Sequence, residues 1–434
     1  MKFDRRAFLS GAAVAALGRE ALAAPAGPLV PTPLPAPDPA LQYRDPRIHT
    51  PVETPDGATL GWRLVGGVKV FHLVAAPIVH TFAPGLVAHA WGYNGRTPGP
   101  TIELVQGDRV RFYVTNHLPE PTTVHWHGIL LPNGMDGVMG VTQRAIRPGE
   151  TYRYEFTVRH AGTFMYHPHA DEMTQMGLGL MGMIVVHPSS GAGAVDRDFA
   201  MMLSEWEIPI GASRPDPREM TDFNVLTINS KAFPGTSPLV ARTGQRVRIR
   251  IGNLSAMHNH PIHLHGYTFE VTATDGGSVP PSARHPEVTV LVPVGATRDI
   301  ELRADAPGDW PMHCHFTHHI MNQMGHAGPN LVGIDAHGLD AQIRPLVPGY
   351  MTMGETGMSG MGEMSMGVPP NSIPMRGMAG KHDYIDMGGM FTLFKVRDRL
   401  DGYADPGWYE NPPGTLAVAA TAEELARDGI DPRS

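Results

Sequence analysis

The chain has 434 residues, enough for two to four domains of ordinary size and for a core that needs no disulfide staples. Hydrophobic residues make up 42% and charged residues 18%, which excludes wholesale disorder, and a net charge of -8 argues against nucleic acid as a partner. One Cys excludes an intramolecular disulfide and any zinc site with more than one Cys ligand, whereas 23 His and 25 Met are unusually many.

From the N-terminus, Arg5-Arg6-Ala7-Phe8-Leu9, the small apolar run to Leu17 and Ala21-Leu22-Ala23 have the three parts of an export signal. The arginine pair resembles a twin-arginine signal, so residues 1–23 are expected to be removed and the mature protein to be periplasmic. Residues 24–54 are Pro/Ala-rich and read as an extended linker. No segment of the mature chain is apolar enough to span a membrane.

A repeat follows. Gly107-Asp108-Arg109-Val110-Arg111-Phe112-Tyr113-Val114-Thr115-Asn116 leads to His125-Trp126-His127-Gly128. Gly244-Gln245-Arg246-Val247-Arg248-Ile249-Arg250-Ile251-Gly252-Asn253 leads to His263-Leu264-His265-Gly266. His167-Pro168-His169 closes the first unit and His313-Cys314-His315 the second. Val110, Phe112 and Val114 alternate with polar residues, as do Val247, Ile249 and Ile251, the period of half-buried strands. Two antiparallel β-sandwich domains are expected, at 55–190 and 196–345, with a C-terminal extension at 346–434.

On a strand, residues i and i+2 share a face, so each His-x-His pair presents two imidazoles side by side. In His313-Cys314-His315 the alternation sends the thiol to one face and both imidazoles to the other, so one strand serves two metal sites. A thiolate, two imidazoles and a weak thioether make an electron-transfer copper site, and Cys314, His260, His319 and Met324 supply that set. Trp126 and Leu264, pointing away from their flanking His, read as core.

These four motifs resemble those of the multicopper oxidases over nearly all of residues 55–345. The resemblance implies an all-β chain of two cupredoxin-like Greek-key sandwiches with a Met-rich extension. It implies four coppers per subunit: type 1 at His260, Cys314, His319 and Met324, and type 2 at His125 and His263. The two type 3 coppers fall at His127, His167, His169, His265, His313 and His315. Asp136 resembles an acidic residue that assists proton delivery in the family, and an Asp capping a turn is the alternative. Each unit carries half of the cluster ligands, and two-domain relatives form homotrimers with each cluster between subunits, so a C3 ring is expected.

The implied activity is one-electron oxidation of a small reducing substrate coupled to four-electron reduction of O2 to water. Cu(I) is the favoured substrate, followed by phenols or aromatic amines, with Mn(II) as a further option. The alternatives are a copper nitrite reductase-like enzyme and a non-enzymatic periplasmic copper-binding protein in copper tolerance. Residues Met351 to Met390 include ten Met among Gly, Ser and Pro; such a segment lacks the partners of a core and is expected to capture Cu(I). Met390-Phe391-Thr392-Leu393-Phe394-Lys395-Val396 reads as a strand that docks on the body.

Overall fold

The computed structural model describes residues 38–191, 193–323, 330–332, 338, 342, 345–346, 351–353 and 369–433. The expected signal at 1–23, the axial candidate Met324 and residues 354–368 of the Met-rich segment lie outside the described residues.

The first sandwich faces a five-stranded sheet onto a four-stranded one. The larger sheet holds Trp62–Val65, Val68–Ala83, Leu86–Tyr93, Arg109–Asn116 and Thr151–Thr157; the smaller has the order Ile102–Val105, Gly182–His187, Gly162–His167, His125–His127. The period-two pattern is realised: Val110, Phe112 and Val114 are buried, and Phe112 packs on Trp126 with ring centroids 4.3 Å apart. The second sandwich sets an eight-stranded sheet, containing Arg197–Trp206, Arg246–Asn253, Thr297–Arg303 and Phe269–Thr274, against a five-stranded one. That sheet has the order Leu239–Arg242, Phe391–Arg397, Gly308–Cys314, His260–Leu264, Thr289–Val292. Val247, Ile249 and Ile251 are fully buried between them.

Three expectations change. The sandwiches are mixed, not purely antiparallel: Val68–Ala83 runs parallel to Arg109–Asn116, Ile102–Val105 to Gly182–His187, Arg197–Trp206 to Arg246–Asn253 and Leu239–Arg242 to Phe391–Arg397. Each pair is separated by a connection long enough for parallel pairing. The second domain does not end at 345: Phe391–Arg397 docks as expected, but as an inner strand between Leu239–Arg242 and Gly308–Cys314, with Phe394 and Val396 buried. The described part of the expected linker packs on the body. Val52–Glu53 pairs with Asp198–Phe199, and buried Asp45 lies 2.6 Å from the Lys69 Nζ, which also meets Asp108 at 2.7 Å. A Lys buried this deeply needs both carboxylates, and residues 38–54 supply one of them.

A third apolar cluster, including Met165, Met183, Met202, Trp206 and Phe82, joins the sandwiches. Beside it, buried Arg250 donates to both oxygens of Asp198 (2.7 and 2.8 Å) and to the Thr163 hydroxyl of the first sandwich at 2.7 Å. The outer face of the four-stranded sheet is therefore partly covered by the second sandwich, and the strand His125–His127 lies at its edge.

Candidate metal centre

Strand alternation divides each His-x-His motif as expected. Trp126 and Leu264 enter the two cores, and the flanking imidazoles turn outward. In the first sandwich the His125 ring centroid lies 5.7, 5.3 and 5.6 Å from those of His127, His167 and His169. In the second, the His263 centroid lies 4.7, 5.7 and 5.6 Å from those of His265, His313 and His315. The closest nitrogens are His127 Nδ1 and His167 Nε2 at 3.2 Å, and the Nε2 atoms of His265 and His313 at 3.1 Å.

Four of these rings are oriented by backbone carbonyls. The Nδ1 of His125 lies 2.8 Å from the Asp136 carbonyl, that of His167 2.9 Å from Pro168, that of His263 2.7 Å from Val288, and that of His313 2.8 Å from Cys314. A proton held there leaves Nε2 free as a donor toward a metal. Burial pushes His167 down to about 3 and also lowers His127, His265 and His313, which keeps these imidazoles in the neutral, ligating form. Among the described residues no ring contact or hydrogen bond joins the first tetrad to the second; His127 abuts the turn at Gly295 instead.

On the inner side of the strand Gly308–Cys314, the Cys314 Sγ lies 3.6 Å from the Nδ1 of His260 and 3.5 Å from that of His319. The two nitrogens are 3.1 Å apart. A point equidistant from the corners of such a triangle lies about 2.0 Å from each, the length of a metal–imidazole bond. Two imidazoles and a thiolate in a trigonal set are the donors that suit copper, so the residues present fit that ion. The Ser255 Oγ, 2.7 Å from His260 Nε2, holds the ring with Nδ1 turned inward. Burial pushes the thiol of Cys314 up to about 12 and His260 down to about 2, so an ion that binds here displaces a thiol proton from a dry pocket. His260 and Cys314 are buried, whereas His319 reaches the surface.

The Oδ1 of Asp136 stands 3.4 Å from His125 Nδ1, so this residue meets the first tetrad through both its carbonyl and its carboxylate. His318 is exposed. Three contributors escaped the sequence reading. Ser255 is one. Glu172 lies 3.3 Å from His167 Nδ1. Buried Glu205 holds His258 at 2.8 Å, and the His258 ring stands edge-on to His319 with centroids 5.2 Å apart. A carboxylate beyond the apolar run of the strand Arg197–Trp206 is the signal that could have found Glu205.

The family description "Multicopper oxidase" matches this chain twice, at residues 77–191 and 209–329. The chain is 30% identical over 349 residues to copper resistance protein A of Escherichia coli, covering 68% of this chain and 55% of that protein. It is 32% identical over 256 residues to multicopper oxidase MmcO of Mycobacterium tuberculosis, covering 52% of this chain and 49% of that one. The chain thus spans about half the length of these curated relatives. The crystal structure of blue copper oxidase from Nitrosomonas europaea superposes with a TM-score of 0.55 at 26% identity, covering 75% of this chain and 85% of that one.

Proposed function

Because this chain belongs to the multicopper oxidase family, we propose that it oxidises a small reducing substrate one electron at a time and passes the electrons to O2, forming water. The observation that carries this reading is the His260–Cys314–His319 triangle, two corners buried and one reaching the surface, whose Cys314 ends the strand with His313 on its other face. His260, Cys314 and His319 would hold type 1 copper, with Met324 the axial residue by spacing. His125 and His263 would hold type 2 copper; His127, His167, His169, His265, His313 and His315 would hold the type 3 pair. When bound, copper supplies one-electron redox chemistry at the triangle and dioxygen reduction at the imidazole cluster.

The residues of this chain then have separable tasks. Cys314 and His313 are covalent neighbours, and His313 Nδ1–H donates to the Cys314 carbonyl at 2.8 Å, so bonded atoms link the two metal positions. Partly exposed His319 is the edge that a reductant can reach, flanked by Phe316 and His258. Asp136 is placed to hand a proton toward the cluster past His125. The carbonyls of Asp136, Pro168, Val288 and Cys314 keep the imidazoles from turning.

Each tetrad alone has half of the cluster ligands, and among the described residues no ring contact or hydrogen bond joins the two, which supports a cluster shared between subunits of a homotrimer. Exposed apolar residues beside the tetrads, Leu130 and Val141 in the first sandwich and Val288 and Leu291 in the second, support the same reading. Cu(I) is the favoured substrate, supported by the Met-rich stretch from Met351 to Met390, whose thioethers suit Cu(I) capture; phenols and aromatic amines come next. Export by the twin-arginine route is supported by Arg5-Arg6 and the apolar run after it. Among the described residues no helix is long and apolar enough to cross a membrane.

Copper-loaded protein should show an intense blue band and four coppers per chain, with side-by-side rates highest for Cu(I) among Cu(I), a phenol and Mn(II). Two coppers per chain, or no blue band, would overturn the oxidase reading. A phenol rate above the Cu(I) rate would overturn the substrate order.

A further inference from the structure

We propose that the C-terminal arm of this chain, residues 411–433, clasps the first sandwich of a second copy and locks the subunits that share a cluster. The inference rests on the shared-cluster reading above and names a segment that holds it together.

The arm is rooted on the face that needs a partner. In the strand Phe391–Arg397, Phe394 and Val396 enter the core, so Lys395 and Arg397 project from the same outer face as His313. There Lys395 pairs with Asp405 at 2.6 Å and Arg397 with Asp309 at 2.6 Å. The Tyr409 N–H donates to Asp309 at 2.8 Å, and Lys381 meets Glu410 at 2.9 Å. The chain is thus pinned up to residue 410 on the sheet face that carries His313, at the Asp309 end of the strand Gly308–Cys314.

Asn411, Pro412 and Thr415 still line a cavity with Trp310 and Tyr384, and after them the chain turns outward. From Asn411 to Arg433 every residue is exposed except Leu425, which is partly covered. Leu416 is 48%, Val418 82% and Ile430 57% exposed. Among the described residues no hydrogen bond or ion pair ties Leu416–Ile430 to the sandwiches; the bonds are local, such as Thr421 with Glu424. Yet the arm is built to be ordered. Its helix, Ala422–Arg427, has a complete capping box, acidic residues in its first turn and Arg427 in its last. Six residues do not sustain a helix in water without tertiary packing, and this helix buries none of its residues on its own chain.

A second copy is the occupant because the face from which the arm departs carries half a cluster and requires the other half from a neighbour. The neighbour's first tetrad brings an apolar rim: Leu130, Met139 and Val141 of the partner subunit correspond to side chains that are exposed on this chain. Met139 is tied to this rim through its N–H, 3.4 Å from the His169 carbonyl. The residues 411–421, in extended form, reach roughly 35 Å, enough to carry the helix off its own sandwich.

The test uses the full copper-loaded chain, a variant lacking 416–434 and the full-length substitution Val418→Asp. Light scattering across a dilution series is read with copper content and the blue band. Expected is a trimer with four coppers for the full chain, and dissociation at a concentration at least tenfold higher in both variants. Both should keep the blue band that reports a folded second sandwich. A photocrosslinker at position 418 should join two copies, on a peptide containing residues 130–141. Unchanged dissociation in both variants, or crosslinks only within one chain, overturns the arm while the shared cluster stands. A full-length monomer with four coppers overturns the shared cluster itself.

Discussion

The two sandwiches carry the same outward-facing tetrad with carbonyl anchors, but among the described residues only the second has a further candidate metal pocket, His260–Cys314–His319, behind it. In the repeat register, His260, Cys314 and His319 of the second sandwich correspond to Thr122, Pro168 and Met173 of the first. The Thr122 hydroxyl donates to Gln175 at 2.6 Å, and the Gln175 amide donates to the Pro121 carbonyl at 2.8 Å, both side chains fully buried. Where the second sandwich holds three open donors, the first has a closed hydrogen-bond pair. The tetrads are set by strand alternation and are duplicated with the fold; the inner pocket depends on three particular side chains and is not.

The comparison can be broken from the largest effect downward. Cys314→Ser should abolish the blue band and turnover, whereas Pro168→Ser at the matching place should keep the band; absorption and oxygen uptake read both. Next is complementation between subunits. His127→Ala and His265→Ala chains are each expected to be inactive, but refolded together they form interfaces in which both halves are intact. Random mixing in a closed ring gives about one quarter of the wild-type activity, and no recovery would show that the tetrads meet within one chain.

Smaller effects follow. Ser255→Ala frees the back of His260 and should weaken retention of the type 1 ion about 10–100-fold in a chelator competition. Thr122→Val should leave copper content and colour unchanged and cost about 1–3 kcal/mol of stability, because Gln175 keeps a buried oxygen without its donor. The smallest concerns His80, which lies between the sandwiches with Nε2 2.7 Å from the Ser230 carbonyl. Burial, and then the charge of Lys231, lower it to about 4. The unfolded chain binds the proton more readily, so stability is lost as pH falls from about 6.5 toward 4. Melting temperatures of His80→Gln should fall less over that interval than those of the wild type.

Much of this was legible in the chain. Period-two runs announced the strands, and spacing alone placed Trp126 and Leu264 inward and the imidazoles outward, because alternation is a local property of extended backbone. Donor chemistry suggested His260 and His319 as partners of Cys314, and His319 is a near neighbour in the chain, but His260 stands 54 residues away and only the folded sheet brings it within 3.6 Å. The role of Glu205 exists only once its strand meets the segment holding His258, 53 residues on, and Ser255 gives no sign of its bond to His260 until the loop between them is folded.

The sequence by itself determined the repeat, the four His motifs, the division of Cys314 from His313 and His315, and the restriction of the inner pocket to one sandwich. These follow from residue type and from the geometry of a single strand. Only the tertiary structure decided that Phe391–Arg397 completes the second sandwich, that residues 38–54 pack on the body, and that His127 of the first tetrad abuts the turn at Gly295 of the second sandwich. Strand partners, buried ion groups and the facing of two domains depend on contacts between distant segments, which no local pattern encodes.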